Sequence, residues 1–134
     1  MTSTTFTVGG SDRLNNENGT NYVAYLFASL PGISSVGMYS NGASASSPRT
    51  INCGFSTGAR FIMIKSVYTD GDWYMWDSAR GILSSAEPRL SLNSQTSYGY
   101  DDVIDPDNSG FIVNNVSPTN LNNTYTSYIY FAVA

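Results

Sequence analysis

The chain has 134 residues, of which 12% are charged and 13% aromatic, including ten tyrosines, and its net charge at pH 7 is −4. That length suits one domain with a real core and is too short for two ordinary ones. With no histidine and a single cysteine, Cys53, the chain cannot build a Ser-His-Asp triad, a His-ligated metal centre, a Cys-based zinc site or an intrachain disulfide.

Six basic residues against ten acidic ones argue against nucleic acid as a partner, because phosphate binding needs clustered Lys and Arg. No apolar run approaches the ~20 residues of a membrane helix, so membrane insertion is not expected. The start, Met1-Thr-Ser-Thr-Thr, lacks the basic and apolar regions of a secretory signal, so export by the usual signal route is not expected. Few charges together with many aromatic and β-branched residues point to a folded, Tyr-rich chain rather than a disordered one.

In chain order, short apolar or alternating runs predict strands at Thr4–Val8, Tyr22–Ala28, Ile33–Tyr39, Thr50–Cys53, Arg60–Tyr68, Asp72–Asp77, Arg89–Leu92, Val103–Ile104, Gly110–Val113 and Ser127–Val133. Turn pairs such as Gly9-Gly10, Asn18-Gly19, Pro31-Gly32 and Asn41-Gly42 separate them. Asp70-Gly71 is the strongest hairpin signal, because glycine supplies the positive φ of a primed turn. Phe61–Ile64 reads as a central strand buried on both faces, and Ser78–Ser85 as the one helical turn. Ten short strands and no long helix predict an all-β fold, an antiparallel β-sandwich of jelly-roll-like type.

The two ends of the chain repeat each other. Phe6, Leu14-Asn15-Asn16 and Tyr22-Val23-Ala24-Tyr25-Leu26-Phe27-Ala28 find counterparts in Phe111, Leu121-Asn122-Asn123 and Tyr128-Ile129-Tyr130-Phe131-Ala132-Val133-Ala134. Such a fixed offset marks a duplicated unit. It predicts one domain over residues 1–134, with a complete unit at 29–134 and an N-terminal hairpin at 1–28 that matches 110–134.

Several motifs invite a functional reading. Trp73, Tyr74 and Trp76 share one strand, so alternation sends Trp73, Met75 and Asp77 to one face and Tyr74 and Trp76 to the other. One face must be core; the other could stack on a sugar or fill a protein interface. Tyr98 and Tyr100 flank Gly99 in a Ser/Tyr-rich stretch with the composition of a recognition loop. Asp77 and Arg80, three apart before Gly81, suit a structural ion pair fixing a corner. Asp105 and Asp107 open a run resembling a calcium loop, but Val116 stands where the bidentate glutamate belongs, so an ordinary turn is the better reading. No cofactor and no catalytic residue is expected. Glu87 and the aspartates at 101–107 would have to meet in space to act as a carboxylate pair, and nothing in their spacing requires it.

Taken in order, Val36-Gly37-Met38-Tyr39-Ser40-Asn41-Gly42, Ile51-Asn52-Cys53-Gly54-Phe55, Phe61-Ile62-Met63-Ile64-Lys65 and Trp73-Tyr74-Met75-Trp76-Asp77-Ser78-Ala79-Arg80-Gly81 form a recognisable series. With Ser109-Gly110-Phe111 and Tyr128-Ile129-Tyr130, it resembles a β-rich domain of uncharacterised function from tailed-phage tail-fibre and other virion proteins, marine and cyanobacterial phages included. The resemblance covers roughly residues 33–134, with Met38 and Ser40 departing from its opening. It implies a virion location, other virion proteins as partners, a homo-oligomer such as a trimer, and adhesion to a host-surface glycan or receptor. Its alternative is a capsid or tail decoration subunit whose aromatic surfaces make protein–protein contacts.

Overall fold

A segment becomes a strand only where another strand lies beside it, and nine segments among the described residues meet that condition. The computed structural model describes residues 4–10, 19–41, 48–68, 71–94, 99–114, 119 and 121–134. The strands are β1 (Ser34–Ser40), β2 (Arg49–Asn52), β3 (Phe61–Ser66), β4 (Tyr74–Asp77), β5 (Glu87–Ser91), β6 (Gly99–Asp101), β7 (Ile104–Asp107), β8 (Gly110–Val113) and β9 (Ser127–Val133).

They form two antiparallel sheets, one of six strands in the order β1-β9-β3-β4-β5-β6 and one of three in the order β2-β8-β7. The molecule is an all-β sandwich. β9, apolar on both faces, lies between β1 and β3, so neither of its edges meets solvent.

Register decides what each face carries. Ala132 lies opposite Ser35 and Ile62, and Ile62 lies opposite Trp76, which defines the inner row of the large sheet. Ile62, Ile64, Trp76, Tyr128 and Ala132 are fully buried there. From the small sheet, Ile51, Ile104, Phe111 and Val113 complete the core. Phe111 meets Tyr130 edge-on, with centroids 5.6 Å apart, joining the two layers. A Cβ on Gly37 would lie 2.5 Å from the Tyr130 hydroxyl, so only glycine lets that ring lie across β1.

Polar side chains tie the loops to this frame. Glu87 on β5 is fully buried, and its Oε1 accepts hydrogen bonds from the backbone N–H groups of Val103 and Ile104 at 3.0 and 2.8 Å. That links the large sheet to the start of β7 in the small one. The Tyr39 hydroxyl donates to Leu121 O at 2.7 Å, and Asn41 Nδ2 donates to Asn122 Oδ1 at 2.6 Å. Those bonds clamp the segment before β9 onto the end of β1.

Several expectations are corrected. Residues 20–29 contain no strand, and Thr5 makes only an isolated bridge, so the N-terminal copy does not reproduce the hairpin of its C-terminal counterpart. Among the described residues no strand flanks it as β1 and β3 flank β9. The Leu14–Asn16 part of the repeat lies outside the described residues. No helix forms over residues 78–85, where turns and bends run instead. β3 is central but alternates, Ile62 and Ile64 fully buried and Phe61 and Met63 half-buried.

The β3–β4 hairpin also differs. A two-residue Asp70-Gly71 turn would set Val67 opposite Tyr74, whereas Tyr74 pairs with Ile64. Trp73 N donates instead to Asn93 Oδ1 at 2.7 Å, so the strand is held by its β5 side and the connection is wider. Finally, Asp105–Asp107, expected as an ordinary turn, is strand β7 leading into a hairpin. Asp107 pairs with Gly110 across the β7–β8 turn, and its Oδ1 accepts from Ser109 N and Oγ at 2.8 and 2.6 Å, which holds the Asp107 carboxyl below the usual carboxylate range.

Candidate functional site

The outer face of the large sheet is where the candidate residues gather. Pairing aligns Val36, Phe131, Met63, Met75 and Leu90 in one row across five strands, β1-β9-β3-β4-β5. The next row holds Met38, Ile129 and Lys65. Ten ångströms or so of a second layer would normally cover such a face; here the row is apolar end to end. Lys65 Nζ bends back to donate to Gly71 O at 2.7 Å, leaving its charge at the margin.

The chain before β1 reaches this face. The Phe27 ring stacks on Phe131 with centroids 4.3 Å apart. Between that segment and the sheet lies an open groove of about 780 Å³, lined by Tyr25, Phe27, Val36, Met63, Trp73 and Phe131 among others. Asn93 is the polar residue in its wall.

The aromatic residues of β4 divide as alternation requires, with unequal results. Trp76 is wholly buried in the core, so its candidacy as a ligand- or interface-binding residue is overturned: inner-face packing against the small sheet leaves no surface to present. Tyr74 is half-buried on the same inner face, with the Arg89 guanidinium 5.6 Å from its ring centroid. Burial raises its phenol pKa above the ordinary value. Trp73 belongs to the outer face and lines the groove. Tyr100, on β6 opposite Pro88, is 66% exposed. Since Pro88 alternates with Glu87, whose side chain is in the core, Tyr100 shares the outer side with Leu90. Tyr98 lies outside the described residues.

Asp77 and Arg80 form a salt bridge at the corner after β4, and Arg80 N also donates to Asp77 Oδ1 at 2.9 Å. Gly81, at φ 117°, then reverses the chain, its N–H donating to Asp77 O at 3.0 Å. A second pair, Arg89 with Asp101, links β5 to β6.

Glu87 does come near the aspartate cluster. Burial, the largest effect, raises its pKa to about 7 against the pull of its backbone donors, and the Asp102 charge adds to the rise. The carboxyl is sealed in the core, however, and no substrate could reach it. Asn114 Nδ2 donates to Asp102 Oδ1 and Asp105 Oδ2 at 3.2 and 3.0 Å, a neutral side chain spacing two carboxylates. Among the described residues no three Cys, Asp or Glu side chains come together to hold an ion, and no helix is long and apolar enough to cross a membrane.

Two features escaped the sequence reading. The apolar outer row became visible only with register, because its members come from five separate runs. The Asn41–Asn122 clamp left a trace, the Leu-Asn-Asn repeat, but composition marks asparagines as loop residues and gives no sign that Asn122 is buried.

No curated protein and no solved structure matches the chain. The sequence profile of one family, the domain of unknown function DUF7483, matches residues 1–134; the chain belongs to that family.

Proposed function

We propose that this chain is a non-enzymatic assembly module of a tailed-phage virion, in a tail fibre or another structural protein, and that it joins neighbouring subunits through the outer face of its large sheet. The observation that carries this reading is the uninterrupted apolar row Val36–Phe131–Met63–Met75–Leu90. An isolated protein gains nothing from leaving such a face in water, whereas an interface core is apolar and rimmed by polar groups. The phage setting rests on the resemblance of residues 33–134, and the partners are other virion proteins, copies of this chain included.

Adhesion to a host glycan is the second reading, supported by Trp73 and the exposed Tyr100 on that same side. A sugar site also needs convergent polar groups, and the groove offers chiefly Asn93.

Light scattering of the purified chain at micromolar concentration separates the two. Assembly gives a mass above the monomer that falls to the monomer in Ile129→Glu, a change whose new carboxylate lies opposite Lys65 and so is tolerated by the sheet. A wild-type monomer that binds sugars on a glycan array, and loses binding on Trp73→Ala or Tyr100→Ala, would replace assembly with adhesion.

A further inference from the structure

Among the described residues, the large sheet ends at β1 with an edge that no strand pairs, and residues 22–28 carry a strand sequence that joins no sheet. In β1, Ser34 exchanges backbone hydrogen bonds with Leu30 at 2.9 Å, and Val36 N donates to Ser29 Oγ at 2.9 Å. Those groups therefore point away from β9. Alternation points the backbone N–H and C=O of Met38 and Ser40 the same way. No described residue pairs with Met38 there, and its side chain is 65% exposed.

Residues 22–28 repeat β9 in sequence and, like β9, are apolar on both faces. A strand of that kind belongs inside a sheet. Here it forms none, and Val23, Tyr25 and Leu26 are 79%, 82% and 71% exposed. On its own copy the β1 edge is taken up at Ser34 and Val36 by residues 28–30. Ser34 Oγ donates to Ala28 O at 2.8 Å, Ser29 caps Val36, and Phe27 is stacked on Phe131. These contacts turn the chain off the edge at residues 27–29 and onto the outer face. There Tyr25 lines the groove beside Val36, and residues 22–26 make no strand pairing with the β1 edge of their own copy.

We infer that residues 22–26 of one copy pair as a short antiparallel strand with the open β1 edge, from Met38 onward, of a second copy. Backbone bonds to Met38 and Ser40 supply affinity, and the alternating apolar side chains extend both faces of the receiving sheet, the mode of strand addition. Repeated copy to copy, the contact closes as a two-fold pair or a ring. The inference rests on the assembly reading and names its contact.

The test is self-association of the full chain, followed by light scattering across the micromolar range, with hydrogen exchange at low and high concentration. Leu26→Pro removes the donor from the entering strand at a residue that no described strand packs against. Met38→Pro does the same on the receiving edge, where the lost N–H faces away from β9. The expected result is association in the wild type, weakened about tenfold or more by either proline, with amides 22–26 protected only at high concentration. Should Met38→Pro fail to fold, Leu26→Pro carries the test alone. An oligomer that survives Leu26→Pro but falls apart in Ile129→Glu would overturn strand pairing and leave face docking intact. Amides 22–26 protected equally at all concentrations would also overturn it, showing closure within one copy. A wild-type monomer would overturn both this contact and the assembly reading.

Discussion

Residues 22–28 and the strand β9 are near copies in sequence and opposites in structure. β9 lies between β1 and β3 and puts Tyr128 and Ala132 wholly in the core. Residues 22–28 leave Tyr25 and Leu26 mostly in solvent and touch the sheet through Phe27. The pair teaches that β-propensity describes fitness for a pleated, buried surface rather than an intrinsic strand. A strand gains its hydrogen bonds and most of its burial from neighbours. β9 has two of them, and the N-terminal copy has none among the described residues of its own chain.

Matched substitutions test that contrast. The largest effect is expected at Tyr128, whose ring stacks on Tyr39 at 4.9 Å and whose hydroxyl accepts from Asn123 N at 3.0 Å. Tyr128→Ala should cost about 3–5 kcal/mol, read as a shift in urea midpoint. A loss below about 1 kcal/mol would mean that β9 is not the central strand described.

Next is Glu87, which ties the two sheets. Its folded pKa of about 7 lies above the ordinary value of 4.5. Below pH 4.5 the group is protonated in both states and full stability is present. As pH rises from 4.5 to 7 the unfolded chain loses its proton first, so stability falls, by up to about 3 kcal/mol, and then levels off. Glu87→Gln, neutral throughout, should match the wild type near pH 5 and exceed it near pH 8. Equal pH profiles for the two proteins would show that the carboxyl is not buried.

Gly37→Val should cost about 1–3 kcal/mol, because its Cβ must displace the Tyr130 hydroxyl from a position 2.5 Å away. Thermal melts would register the loss at the β1–β9 pairing. At the β4 corner, Arg80→Ala should cost about 0.5–1 kcal/mol, since the Asp77–Arg80 pair is partly solvated, with side chains 22% and 30% exposed. The smallest effect belongs to the N-terminal copy. Tyr25→Ala, the counterpart of a change in β9, should move monomer stability by less than about 0.5 kcal/mol. A large loss there would mean that residues 22–28 are already part of the folded sheet.

Much of the fold was legible. Eight of the ten apolar or alternating runs fall on strands, Val103–Ile104 only at its second residue, because alternation and turn residues act locally. β6 was hidden in a polar Ser/Tyr-rich stretch with no apolar period. The extent of β7 was hidden by Asp105-Pro106-Asp107, a turn sequence that pairing with β8 holds as a strand. For the candidate site, Trp73 and Tyr100 were reachable from composition and alternation. The fate of Trp76 was not, because alternation separates two faces without saying which of them is covered.

The amino-acid sequence alone marks this chain as all-β, without histidine chemistry or an intrachain disulfide, and with one motif at both of its ends. Those properties follow from composition, chain length and the period-two pattern, none of which needs distant contacts. Only the tertiary structure decided which copy of that motif pairs, which face of β4 is core, and that five separate runs align into one apolar row. Strand partners and register are set by residues far apart in the chain, and the burial that selects them exists only once the sheets have met.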